Sequence, residues 1–344
     1  MRTGRIGHPE GGTSPDAPPS PRLARDLERL AQRFPYDRSL PDDPLSLVQP
    51  FAAHPRSAEI VGVFAATMAV GNVQTILGSL RSLLDQIGPD PAAFIERFDP
   101  VGWRDRLHPW KHRWIRWDQM GFLALRLHEI YRRYPGGLES VFRAGMEEGG
   151  ESPEQAFAGG LDALSRALRW GSLDQSPTFY EPPAGYLNLF PSPLAPGRPT
   201  CKRLALFVRW MVRTAPPDLG LWRSISPSVL HVPLDTHVYW IAKHVGLTDR
   251  KTRTWPTVTQ ITRALRVLDP NDPVRFDFAL AHTGISGDCP KHRDAEVCGR
   301  CALRPDCDLW RGPGGPRRAS RGRDRASPRT PASVRSSARR AGSR

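Results

Sequence analysis

Four of the five cysteines in this 344-residue chain, Cys289, Cys298, Cys301 and Cys307, fall within 19 residues in the spacing C-x8-C-x2-C-x5-C. No other feature constrains the fold as tightly, because four thiols in one short loop could hold a single metal centre. Thiols clustered in a chain without a secretion signal are metal ligands more often than disulfide partners. The opening MRTGRIGHPEGGTSPDAPPSP has no apolar region of the kind a signal sequence needs. Tetrahedral zinc and a cubane [4Fe–4S] cluster both take four thiolates. Structural zinc usually pairs two short knuckles, and here only Cys298 and Cys301 form one. The longer arcs to Cys289 and Cys307 favour the iron–sulfur cluster and leave zinc as the alternative. Cys201 stands apart and reads as a buried thiol.

Ahead of the cysteines, apolar residues recur at helical spacing. Leu204, Phe207, Val208 and Met211 follow i, i+3, i+4, i+7, as do Val238, Ile241, Ala242 and Val245. The same reasoning predicts helices from Leu23 onward, across 57–84 with a turn near Gly71-Asn72, and over 118–133, 153–169, 202–213, 236–246, 257–268 and 273–284. Seven prolines make 172–199 an extended connection. Sustained strand alternation is absent, so the expected fold class is all-α. A hydrophobic content of 39% is too high for a wholly disordered chain, despite 36 Pro and 30 Gly. The longest apolar run, Ile60–Val70, is about half the roughly 20 residues that span a bilayer, so a membrane protein is not expected. The expected organisation is a leader over 1–21, a helical domain over 22–310 and an Arg-rich tail over 311–344. Of the net charge of +14, ten units fall in that tail, which reads either as a solvated terminus or as a nucleic-acid-binding arm.

Upstream of the cysteines lies His231-Val232-Pro233-Leu234-Asp235-Thr236-His237-Val238. Asp235 stands where an amphipathic helix begins, the usual place for an N-cap. A carboxylate there is also kept ionised by the helix dipole and backbone N–H groups. Such a group suits stabilising an oxocarbenium-like sugar or activating water at an anomeric carbon. Capping and catalysis do not exclude one another.

The order L-D-T-H-V, a helical stretch and then the four spaced cysteines resembles the endonuclease III branch of the helix-hairpin-helix (HhH-GPD) DNA glycosylases. More closely, 35–310 resembles an uncharacterised bacterial family, DUF2400. SAEIVGVFAATMAVGNV (57–73), TCKRLALFVRWMVR (200–213), VPLDTHVYWIAKHVGL (232–247) and DPVRFDFALAHTGISGDC (272–289) carry the likeness. The resemblance implies a two-lobed HhH-GPD DNA-glycosylase-like helical fold, with the hairpin and catalytic-Asp helices over 200–288 and a C-terminal [4Fe–4S] loop over 289–307. It implies a DNA repair protein, cytoplasmic and nucleoid-associated, that binds double-stranded DNA as a monomer and releases a flipped-out damaged base with Asp235. Two positions depart from the pattern. The glycosylase hairpin L-P-G-x-G-[RK]-[KT] is replaced by Leu194-Ala195-Pro196-Gly197-Arg198-Pro199-Thr200-Cys201-Lys202-Arg203, so Arg198, Lys202 and Arg203 would grip phosphate by charge. A lyase would also use a Lys on the next helix as a Schiff-base nucleophile. Lys202 is the candidate, although one register puts Arg203 there, and a phosphate contact is the alternative role for Lys202.

Several other residues bear on DNA. Lys291, His292 and Arg293 lie inside the cysteine loop, where Lys291 and Arg293 would meet the phosphate backbone. Asn72 stands where relatives insert a polar residue into the duplex to fill the gap of a flipped base; an ordinary helical turn with Gly71 at its end is the alternative. Trp110, Trp114 and Trp117 read as the buried face of a helix, with stacking on unpaired bases as the alternative. Trp103 reads as core, and His231, His237, His244 and His282 as polar or capping. Two competing functions remain open. One is a DNA-binding module that kept the scaffold and lost the chemistry; the other is a zinc-stabilised protein of unrelated function.

Overall fold

The computed structural model describes residues 18–170, 181–290 and 292–311. The chain builds α1 (Pro21–Arg33), the single turn α2 (Tyr36–Ser39), α3 (Pro55–Met68), α4 (Val73–Ile87), α5 (Pro91–Glu96) and α6 (Pro100–Leu107). A two-residue hairpin, β1 (Lys111–His112) and β2 (Ile115–Arg116), leads to α7 (Trp117–Arg133), α8 (Gly137–Gly149) and α9 (Pro153–Trp170). Then follow α10 (Lys202–Val212), α11 (Thr236–His244), α12 (Trp255–Leu268), α13 (Asp277–Ile285) and the short α14 (Ala295–Gly299) and α15 (Asp308–Arg311). The all-α expectation holds, with this hairpin as the only strand pair among the described residues. No helix among them is long and apolar enough to cross a membrane.

The helices start where capping chemistry dictates. The Ser20 hydroxyl accepts from Leu23 N and Pro21 occupies the first position of α1, so the helix begins one residue inside the expected leader. Asn72, Asp90 and Asp99 cap α4, α5 and α6 in the same way. Helix α3 is buried from Ser57 to Met68 and forms the spine of the core. Against it lies α10, and a Cβ on Gly62 would stand 3.1 Å from Met211 Cε. The α8–α9 pair is closer still. A Cβ on Gly145 would sit 2.5 Å from Gly159 O, so only hydrogen at these positions lets the two backbones touch.

Glu59, in the middle of α3, is a buried carboxylate that composition alone does not reveal. It accepts from Tyr131 OH (2.8 Å), Trp222 Nε1 (2.5 Å) and Leu138 N (3.4 Å), tying α3 to α7, α8 and the loop after α10. Burial raises its pKa, and the three donors oppose that rise.

His231 corrects the expectation of a polar or capping histidine. Its ring is fully buried in a stack with Phe157 (4.9 Å, 18°) and Trp255 (5.5 Å, 22°). Nδ1 bonds Val229 O (2.9 Å), and Nε2 has no partner among the described residues. Burial, with Arg266 adding to it, pushes the ring down to about 4. The folded chain therefore binds fewer protons than the unfolded chain between about pH 4 and 6.5, and this stability is complete above that window. It falls away as pH drops through it, by on the order of 3 kcal/mol. His231→Phe keeps the stack and should flatten that part of the profile, measured as urea unfolding from pH 7 to 4.5. A variant profile as steep as wild type would refute the assignment.

Candidate functional site

The site forms where α3, α10 and α11 meet. Helix α10 opens from Cys201, a non-glycine residue in left-handed conformation (φ 52°), which places Lys202 at the first helical position. The Cys201 thiol donates to Pro191 O (3.1 Å) and is buried as expected; burial pushes its pKa up. Asp235 caps α11, with Oδ1 accepting from Val238 N at 2.9 Å. Its second oxygen, Oδ2, lies 3.7 Å from Lys202 Nζ, with both side chains about a quarter exposed. The ammonium also donates to Ala69 O (3.0 Å) at the end of α3. Two residues 33 positions apart in sequence, together with the α3–α4 turn, thus share one half-open corner. Of these two neighbours, Lys202 and not Arg203 faces Asp235.

Arg203 turns the other way. Its guanidinium donates to Thr67 O (3.0 Å) and Leu189 O (3.3 Å), and burial lowers its pKa to about 10. Expected as a phosphate contact, it instead closes the end of α3, where carbonyls lack helical partners. Arg198 is exposed in a turn of positive φ (44°), and its carbonyl accepts from Trp255 N (2.6 Å), fixing the turn to the start of α12. Between Glu181 and Cys201 the chain forms turns and one 3-10 turn, Tyr186–Asn188, so no helix–hairpin–helix pair is built there.

Asn72 is exposed beside the corner, but its Oδ1 already accepts from Thr75 N (3.2 Å) as a cap. Gly71 precedes it at φ 113°, and a Cβ there would collide with the Arg113 guanidinium. The segment 110–117 is a correction. It is the β1–β2 hairpin, not a buried helix face, and its burial alternates: His112 and Ile115 point in, Lys111, Arg113, Trp114 and Arg116 point out. His112 docks on α4 through Ser79 Oγ (3.0 Å), and Trp114 stands 46% exposed with the Arg203 guanidinium 5.2 Å from its ring centre. Trp103 is core, as expected.

Behind the corner lies a buried charge network that spacing could not reveal. Arg209 on α10 forms a fork with Asp218 (3.1 Å to each oxygen) and donates to Asp277 Oδ2 (2.5 Å) on α13. Arg213 bonds Asp218 (3.1 Å) and Asp272 (2.8 Å). Burial raises the Asp277 carboxyl to about 6, Arg209 opposes, and the charge of Asp235 adds to the rise. One clue existed in the sequence: a lone Arg inside LALFVRWMV, a run otherwise free of charge.

The cysteine loop follows α13. Cys289 N bonds Thr283 O (3.1 Å), Asp294 caps α14 beneath Cys298, and α1 reaches the loop through Arg33–Asp288 (3.1 Å). All four cysteines are free thiols. Burial pushes Cys289 up to about 12, and Cys301, Cys307 and Cys298 each add to that rise, so the four lie within electrostatic reach of one another. Among the described residues no group of three or more His, Cys, Asp or Glu is arranged to hold a metal ion. Arg293 is exposed, with its guanidinium 4.5 Å from the centre of the Trp310 ring. Lys291, like the tail beyond Arg311, lies outside the described residues.

Residues 43–286 match the model of the family described as Protein of unknown function (DUF2400), which bears out that resemblance and stops three residues short of Cys289. No curated protein and no solved structure matches the chain.

Proposed function

We propose, for a chain that belongs to the DUF2400 family, a DNA N-glycosylase function in which Asp235 is the catalytic carboxylate and Lys202 its cationic neighbour. The observation that carries this reading is the Lys202–Asp235 approach of 3.7 Å in a half-open corner. A carboxylate whose Oδ1 is held by the α11 cap keeps Oδ2 for the sugar, where it stabilises positive charge developing at the anomeric carbon. The alternative task for Oδ2 is to orient a water at that carbon. Lys202, held by Ala69 O, would meet a phosphate or attack the same carbon as a nucleophile. Asn72 and Trp114 stand exposed on the adjoining edge, next to where an extruded base would leave its gap. Arg198 and Arg293 are exposed and would meet the duplex backbone, whereas Arg203 donates from Nε and Nη1 to Thr67 O and Leu189 O.

The test is a panel of lesion-bearing duplexes with anaerobically purified protein, scored for base release and for borohydride trapping. Base release without a trapped complex supports a monofunctional enzyme, and trapping that disappears in Lys202→Gln supports a lyase. No release from any lesion, with salt-dependent binding retained, would favour the DNA-binding module instead, which the irregular turn at 194–201 also suits.

Cys289, Cys298, Cys301 and Cys307 would hold a [4Fe–4S] cluster, whose contribution is structural: it would cross-link the loop and present Arg293 to DNA. The expected result is about four irons per chain and broad visible absorbance, both lost in Cys298→Ser. One zinc per chain and no colour would put the tetrahedral site in its place.

A further inference from the structure

The exposed face of α11, beyond its capping Asp, carries a group of residues that the site does not use. Thr236, His237 and Trp240 are exposed, and Trp240 is 42% open to solvent although tryptophans are usually covered. Its ring stacks on His244 (6.0 Å, 23°) and meets Tyr239 edge-on (5.1 Å), so it is held in place without being buried. Beside it runs the loop Arg250-Lys251-Thr252-Arg253, exposed throughout.

The loop is fastened to the helix along one edge. Arg253 Nη1 donates to Thr236 Oγ1, next to Asp235, while Tyr239 OH (3.1 Å) and Lys243 Nζ (3.5 Å) both donate to Arg250 O. Residues 236, 240 and 244 lie one turn apart on the helix, so Trp240 is in line with Thr236 and one turn beyond the Asp235 end. The acid of this loop, Asp249, is turned to α12, where Oδ1 accepts from Gln260 (2.8 Å). At the far end Asp308 lies within electrostatic reach of His244. Between these acids lie four cations, Lys243, Arg250, Lys251 and Arg253, and an open indole.

A rigid, exposed aromatic bordered by cations fits a nucleic-acid strand with unpaired bases, since stacking needs an open π face and the backbone needs positive charge. A protein partner would be expected to meet a broader apolar patch, and a lipid surface a helix with a wide apolar face. We propose that α11 and the 250–253 loop form the track for one nucleic-acid strand leading away from Asp235, with Trp240 stacking on an unpaired base and Arg250 and Lys251 meeting phosphates. This rests on the nucleic-acid reading of the Asp235 corner, and it adds a preference for unpaired bases next to that corner.

The test is fluorescence anisotropy with a labelled thymidine strand of about 15 nucleotides, long enough for such a groove, and with its duplex. Trp240→Ala should weaken single-strand binding roughly tenfold and change duplex binding far less. Arg250→Ala/Lys251→Ala should lower the slope of log affinity against log salt by about 1.4. All three side chains are exposed, so unchanged thermal midpoints serve as the folding control. If wild type binds both probes and Trp240→Ala binds the single strand as tightly as wild type, the track is overturned and the glycosylase reading stands. If wild type binds neither probe, both fall together.

Discussion

Asp235→Asn should lower base release by on the order of 10²–10⁴-fold while leaving the fold and the affinity for DNA close to wild type. The reasoning separates the two tasks this side chain performs. Its Oδ1 accepts from Val238 N at the start of α11, and an amide oxygen accepts there as well as a carboxylate oxygen does. The helix cap therefore survives. The 3.7 Å approach to Lys202 is partly open to water, so losing that pair costs little stability. What the amide lacks is negative charge at the second oxygen, which is the property that an oxocarbenium-like centre or an attacking water requires. Asp235→Ala makes the contrast: it should lose activity to a similar extent and also cost about 1 kcal/mol through the missing cap. The measurement is single-turnover release of base, with duplex binding followed on the same samples. If Asp235→Asn releases base at the wild-type rate, the carboxylate is only a cap and the catalytic assignment is wrong.

Much of this corner was legible beforehand, because its parts follow local rules. The carboxylate sits where capping chemistry puts one, and Lys202 opens a helix whose apolar residues recur at i, i+3, i+4 and i+7. Their meeting is not local: 33 residues separate them, and one register of the family resemblance put Arg203 in the place for which Lys202 was the candidate. Packing decides, since α10 presses its Phe207 and Met211 against Gly62 of α3, and that contact turns Arg203 to the end of α3 and Lys202 to Asp235. Segment 110–117 misled for another reason. Tryptophans at 110, 114 and 117 match a helical period, yet Pro109 follows the end of α6 at Leu107, and Arg113 adopts a positive φ of 55° that turns the chain. The inward pair His112 and Ile115 was there to be read as a short hairpin. Helix α8 escaped notice because glycines at 145 and 149, poor helix formers, are placed there for contact with α9.

Arg209→Met should cost about 3–5 kcal/mol, the largest stability effect expected of any single change behind the site. Arg209 is 4% exposed, and among the described residues its guanidinium is the only partner of the Asp277 carboxylate, whose other oxygen has none. Asp218 would keep Arg213, so the uncompensated charge falls on Asp277, which already feels Asp235 and Asp218. Two further results follow from that placement. Asp277→Asn in the same chain should recover a large part of the loss, because it removes the stranded charge while keeping the volume. The loss should also depend on pH. The Asp277 carboxyl is raised to about 6 in the folded chain, and without Arg209 it rises further. A group raised in this way favours the folded chain at low pH and stops doing so as pH climbs through its folded value. Arg209→Met should therefore be least harmful near pH 4.5 and most harmful above pH 7, as read from urea unfolding of the single and double variants. A loss below about 1 kcal/mol at neutral pH would mean that the pair is solvated in solution. A loss independent of pH and untouched by Asp277→Asn would place the cost in packing around residue 209. The network matters to the site because α10 carries both Arg209 and Lys202, and α13, which begins at Asp277, packs on the helix that Asp235 caps. Its ion pairs hold in register the two helices whose N-terminal ends form the corner.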